Sequence, residues 1–187
     1  VKRFDAALDR ICSARGLILD LRPNGGGNTG VGYALLSRLT DKTLPGARWK
    51  TRKYVPAYRA WRRPEQWEVG DHGVIQPRVG PRYLGPVAVL VGPSTCSAAE
   101  DFVTVFQCAG RGQVIGQPTN GSTGQPLTLD LPGGGGARIC TKWDTYPDGR
   151  EFVGIGCVPD IEVRPTRADI AAGRDVTLEK AVALWRE

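Results

Sequence analysis

The chain has 187 residues, 41% of them hydrophobic, and a formal net charge of +6 at pH 7. A single domain of that length buries a substantial core, and no apolar run approaches the roughly 20 residues a bilayer requires, which excludes a membrane-spanning helix. The five cysteines (Cys12, Cys96, Cys108, Cys140 and Cys157) lack C-x-x-C spacing and there is one histidine, so neither a structural zinc site nor any other cofactor is expected.

Taken in order, residues 2–15 place Phe4, Ala7, Leu8 and Ile11 at helix spacing and predict an amphipathic helix. Gly16 ends it, residues 17–21 read as a short buried strand, and residues 22–28 form a glycine-rich turn before a helix over 30–39. Gly25, Gly27 and Gly30 satisfy the spacing of a dinucleotide-binding loop. Against that, residues 20–24 separate strand from glycines, and the region about 20 residues further on is basic where that fold carries an acid. A plain tight turn remains, as does a loop whose Gly26 or Gly27 N–H points at a reacting carbonyl.

Residues 48–84 show no clear periodicity and read as irregular. Within them Arg48, Lys50, Arg52, Lys53, Arg59, Arg62 and Arg63 interleave with Trp49, Tyr54, Tyr58 and Trp61, with no acid among residues 48–63. Such a stretch can grip phosphates and stack bases. It reads more simply as a solvated edge near a cleft or a surface for acidic peptides, so nucleic acid is not an expected partner. His72, between Asp71 and Gly73, reads as a solvated loop residue, with general base as the alternative.

The apolar run Val87–Val91 stops at Gly92 and Pro93, and a helical pattern begins at Ala98. Ser97 therefore stands where a buried strand turns into a helix, beside unpaired N–H groups at the positive helix end. One reading is a capping box with Glu100. The other is a nucleophile whose oxyanion would face fixed donors. Cys96 next to it has no visible base and reads as a small buried residue.

Beyond it, 113–116 is a short strand, 118–124 a loop, and 125–131 with 137–144 an antiparallel pair across the glycine run 133–136. Residues 151–155 return after the Pro147-Asp148-Gly149 turn, 159–163 are extended, and 177–185 are helical. If the flanks of that turn pair as a hairpin, Cys140 and Cys157 face each other. A disulfide and two free thiols are then both open, and the first leans toward an extracytoplasmic location, periplasmic or secreted. Two strand–turn–helix units predict an α/β fold, a layered mixed sheet with helices. The absence of methionine and of a secretory signal pattern marks the chain as an excised or processed piece.

Four segments carry a resemblance. Residues 16–27 (GLILDLRPNGGG), 90–102 (LVGPSTCSAAEDF), 114–121 (VIGQPTNG) and 147–160 (PDGREFVGIGCVPD) resemble, in order, the signature segments of the C-terminal processing (tail-specific) and tricorn-core serine peptidases. The resemblance implies a ClpP/crotonase-like core, with residues 1–187 a peptidase core domain, and peptide-bond hydrolysis. It makes Ser97 the nucleophile and the N–H groups of Ala98 and of Gly26 or Gly27 the oxyanion hole. In the lysine-dyad branch the base stands where this chain has Ser122, so that mechanism needs another lysine. In the tricorn-like branch a histidine precedes the first signature segment and would lie upstream of Val1, with Glu151 as the candidate orienting acid. A peptide or protein substrate is implied, with a homo-oligomer or an upstream domain as context. The competing expectation is a binding module on the same fold, for peptides or apolar ligands, that has lost hydrolysis.

Overall fold

The computed structural model describes residues 1–186. In chain order it contains α1 (Lys2–Ala6), α2 (Leu8–Cys12), β1 (Leu17–Asp20), α3 (Thr29–Leu36), β2 (Leu44–Pro45), β3 (Arg48–Lys53), α4 (Pro56–Ala60), β4 (Gln66–Asp71) and β5 (Val74–Ile75). There follow β6 (Val87–Val91), α5 (Ala98–Cys108), β7 (Gln113–Gly116), β8 (Leu127–Leu131), β9 (Gly135–Ile139), β10 (Trp143–Thr145), β11 (Ile161–Glu162), α6 (Arg167–Ala171) and α7 (Val176–Ala183). Among the described residues no helix is long and apolar enough to cross a membrane.

The centre is a parallel sheet in the order β1-β6-β7-β11. Strand β6 is buried along its whole length, which is why it reads as an unbroken apolar run rather than an alternation. Its pleat divides the core in two. Val87, Val89 and Val91 pack with Leu36, Leu39, Phe102, Val103 and Phe106 under α3 and α5, whereas Ala88 and Leu90 join Ile115 and Ala181 under α7. Each fully buried Val, Leu or Phe contributes about 1.5–3 kcal/mol, so this two-sided strand is the main source of stability. Because the strands are parallel, the loops after β1, β6 and β7 all emerge at one edge.

A second sheet, β10-β3-β4, is antiparallel and overturns the expectation that residues 48–84 are irregular. Its residues are mostly exposed, so no core-facing alternation marked it. Cations over rings mark it instead: Lys50 Nζ lies 5.6 Å from the Trp67 ring and 5.4 Å from that of Trp143, and Arg52 stacks on Trp67 at 5.5 Å. The first predicted helix is broken at Ala7 into α1 and α2. The predicted strand over 137–144 is split, with β9 pairing β8 and β10 pairing β3.

Cys140 is exposed, Cys157 is buried, and all five cysteines are free. The flanks of the Pro147–Gly149 turn join only through one bridge, between Thr145 and Glu151. The chain then turns inward, where Cys157 accepts from the Thr119 N–H at 3.2 Å and donates its own N–H to Thr119 Oγ1 at 2.7 Å.

Candidate active site

Three loops meet at the carboxyl edge of the parallel sheet, and backbone hydrogen bonds lock them together. Thr95 Oγ1 accepts from the Gly92 N–H at 3.0 Å and donates to the Leu21 carbonyl at 2.8 Å, joining the exits of β6 and β1. The Cys96 N–H reaches the Asn24 carbonyl at 3.0 Å, and the Ser97 N–H the Ser122 carbonyl at 3.1 Å. Arg22 spans Asp20 and Asp175 with four charge-assisted hydrogen bonds of 2.7 to 2.9 Å and so ties the base of the glycine turn to α7.

Ser97 has φ 57° and ψ −128°. A non-glycine residue held there costs of order 1–3 kcal/mol and persists only when its surroundings impose it. Glu100 imposes it. Its carboxylate is fully buried and accepts from the Ser97 N–H (2.9 Å), Thr119 Oγ1 (2.6 Å), the Gly121 N–H (2.6 Å) and the Ser122 N–H (3.2 Å). The capping-box pairing is present in outline, yet the Ser97 side chain itself makes no cap hydrogen bond, and the Glu100 N–H bonds to the Ser97 carbonyl at 2.7 Å.

Gly26 has φ 102°, and a Cβ there would stand 2.6 Å from Ser97 Cβ and 2.7 Å from the Cys96 carbonyl oxygen. Only glycine permits this approach. Its N–H donates to Asn24 Oδ1 at 3.0 Å. The N–H groups of Gly27 and Ala98 have no acceptor among the described residues. A cavity of about 810 Å³ is lined by Ser97 and Gly27, and an apolar one of about 380 Å³ adjoins it behind Gly26 and Ala98, floored by Leu21, Leu35 and Phe102.

Glu151 is not at this site. Its carboxylate is half exposed and pairs with Lys50 at 3.0 Å, because the bridge to Thr145 turns it outward. Ser122 does line the larger cavity, with no amine on its side chain. Cys96 donates to the Ser122 carbonyl, and burial, followed by the charge of Glu100, pushes its thiol above its ordinary pKa.

Four side chains at or beside the cavity carry the remaining chemistry. His72 and Lys142 line it, and between them sits Asp144, fully buried. Asp144 Oδ1 lies 2.5 Å from Lys142 Nζ and 3.3 Å from His72 Nε2, and Lys142 Nζ is 3.0 Å from the same imidazole nitrogen. Burial acts to raise the Asp144 pKa, but the hydrogen bonds and charges of His72 and Lys142 outweigh it and hold the carboxyl below its ordinary value. Asp101, one helical turn after Ser97, is 3% exposed. Its Oδ2 accepts from Thr29 Oγ1 at 2.6 Å while Oδ1 is buried without a partner. Burial raises its pKa, with the nearby Asp144 charge adding to it.

Sequence reasoning missed Asp101, Lys142 and Asp144. Asp101 was within reach, since i and i+4 share a helix face. Lys142 and Asp144 lie some 70 residues from His72 and nothing local announces their meeting. The solvated-loop reading of His72 is overturned: its N–H donates to the Ala47 carbonyl at 2.9 Å and its ring stands edge-on to Tyr33 at 6.4 Å.

The model of peptidase family S41 matches residues 1–163. Among solved structures, a candidate peptidase from Parabacteroides merdae is similar at 26% identity and TM-score 0.78, over 100% of this chain and 56% of that one. Mature CPAF complexed with lactacystin gives 20% identity and TM-score 0.82 over 96% of this chain and 46% of its own. The photosystem II D1 C-terminal processing protease gives 24% and 0.60 over 88% and 38%. The chain thus spans between about a third and three-fifths of these relatives' length.

Proposed function

Because this chain belongs to peptidase family S41, we propose that residues 1–187 are the core domain of a serine peptidase and that Ser97 is its nucleophile. The observation that carries this reading is the elbow at Ser97. Its backbone is held in a costly conformation by Glu100, its side chain caps nothing, and the residue lines a cavity large enough for a peptide segment. Strain of that kind, spent where it serves no packing purpose, fits a positioned reactive group.

In this reading Ser97 Oγ attacks the scissile carbonyl and an acyl-enzyme forms. The N–H groups of Ala98 and Gly27 hold the oxyanion, since that of Gly26 is occupied by Asn24. Gly26 serves by its missing side chain, which lets the glycine turn close on the elbow. The adjoining apolar cavity takes a small apolar side chain beside the scissile bond, so the substrate is a peptide or unfolded protein segment.

The test is labelling with a serine-directed fluorophosphonate in the full-length protein. Label is expected on Ser97, and Ser97→Ala should lose both label and peptide hydrolysis. The amine-free side chain at position 122 favours the second reading, a binding module; its signature is a Ser97→Ala variant that keeps full biological activity.

A further inference from the structure

The connection between β3 and β4 takes no part in the site described above, and none of residues 54–65 lines either of its two cavities. We propose that this hairpin tip is a docking surface for an anionic lipid bilayer: Tyr54 and Trp61 enter the interface, and Lys53, Arg59, Arg62 and Arg63 meet the headgroups. It stands apart from the reading of Ser97 and does not depend on it.

The local fold sets these groups out. Pro56 opens α4 after the extended Val55, and the helix stops after five residues. Trp61 stands at its end, and Arg62 follows with φ 52°. The Arg62 N–H donates to the Arg59 carbonyl at 3.2 Å and the Arg63 N–H to the Tyr58 carbonyl at 2.9 Å, the paired bonds of a Schellman helix stop. Glycine takes the left-handed position of that motif without strain, yet the sequence puts a cation there. The turn lays Arg63 over two rings, 5.3 Å from the Tyr58 centroid and 4.9 Å from that of Trp61, and the rings themselves stand 6.1 Å apart. At the root of the tip, Arg52 pairs with Glu65 at 3.2 Å and stacks on Trp67.

Composition and exposure suit a bilayer. Residues 53–63 carry four cations and no acid. Among the described residues Lys53, Arg59, Arg62 and Arg63 form no ion pair, and Glu65, the first acid after them, is taken by Arg52. Tyr54 is 76% and Trp61 61% exposed, so their rings are left to water rather than packed in the core. Tyrosine and tryptophan favour the headgroup level of a membrane, where one end of the ring is apolar and the other wet. Each cation in the same few residues strengthens partitioning onto an acidic surface about fivefold.

Two other anionic partners fit less well. Single-stranded nucleic acid needs open ring faces, and Arg63 already covers one face of both Tyr58 and Trp61. An acidic peptide answers the charge alone, whereas the boundary between water and acyl chains answers the charge and takes up the exposed rings as well.

The test is co-sedimentation of the full-length protein with vesicles of phosphatidylcholine alone and of an equal mixture with phosphatidylglycerol, with amide hydrogen exchange to locate the contact. Wild type is expected to bind the mixed vesicles and not the neutral ones, and to lose most of that binding in high salt. Residues 53–65 should gain protection on the mixed vesicles, a readout that requires no variant to fold. Arg59→Gln with Arg62→Gln should weaken partitioning about 25-fold, at about fivefold per charge. Tyr54→Ser with Trp61→Ser should remove the binding that survives high salt. Far-ultraviolet circular dichroism of both variants should match wild type. Equal binding to neutral vesicles, no binding to the mixed ones, or protection confined to another segment overturns the proposal. Polyglutamate and oligothymidylate are run alongside, and greater protection of residues 53–65 by either than by vesicles overturns it in favour of a protein or a nucleic acid.

Discussion

At the scale of single residues, Ser97 and Glu100 divide what the sequence presented as one capping motif. Glu100 does the holding, and the Ser97 hydroxyl makes no hydrogen bond of its own. Ser97→Ala should therefore leave stability within about 0.5 kcal/mol of wild type by urea unfolding, where loss of a working N-cap costs typically ~1 kcal/mol. The buried acids make opposite predictions with pH. Asp144, held low, contributes stability above the ordinary carboxylate range that is lost as pH falls through its native pKa. Asp101, held high, is better tolerated protonated, so stability falls as pH rises past the ordinary value toward its native one. Asp101→Asn keeps an acceptor for Thr29 and should raise Tm relative to wild type at pH 8 but not at pH 3, checked by thermal unfolding. Ser97 was legible because a strand ending and a helix beginning enclose it locally. Asp144 was not, because His72 lies 72 residues away in sequence and its own strand is three residues long.

At the scale of elements, the parallel sheet was readable wherever burial dictates composition. The apolar run of β6 and the helical pattern of α5 announced themselves, and the glycine turn lay between β1 and α3 as expected. The sheet formed by β3, β4 and β10 escaped because aromatic rings under cations replace its apolar alternation. Helix α7 was legible in place, but not its cap: Asp175 accepts from the Leu178 N–H at 3.0 Å while also holding Arg22. One carboxylate thus starts a helix and anchors the glycine turn. Asp175→Ala should cost about 1–2 kcal/mol by urea unfolding, at the upper end for a cap because Arg22 also loses a partner, and should slow Ser97 labelling through the loosened turn.

At the scale of the molecule, the candidate site is assembled from two sheets. Ser97, Glu100 and Asp101 stand at the start of α5, the helix that follows β6 of the parallel one, whereas Lys142 and Asp144 come from the antiparallel sheet and the residue beside it, with His72 just after β4. The parallel sheet owns the fully buried core and the other is largely exposed, so the two differ in what holds them. In a urea titration, the labelling rate of Ser97 should collapse at a lower concentration than the far-ultraviolet circular dichroism. Coincident transitions would mean that the sheets melt as one. No pattern in the linear chain foretold this division, since docking of one sheet on another is decided by contacts across the whole sequence.

The void at Gly26 bears on how sequences of this kind can be interpreted. The pressure on that position is steric: a methyl group would collide with the elbow whether or not the elbow still performs chemistry. A chain of this fold without hydrolysis would keep its glycine for the sake of the turn, while nothing in the packing would stop its serine from drifting to alanine. Retention of the hydroxyl, rather than of the glycines around it, is what separates a working enzyme from its architectural remnant.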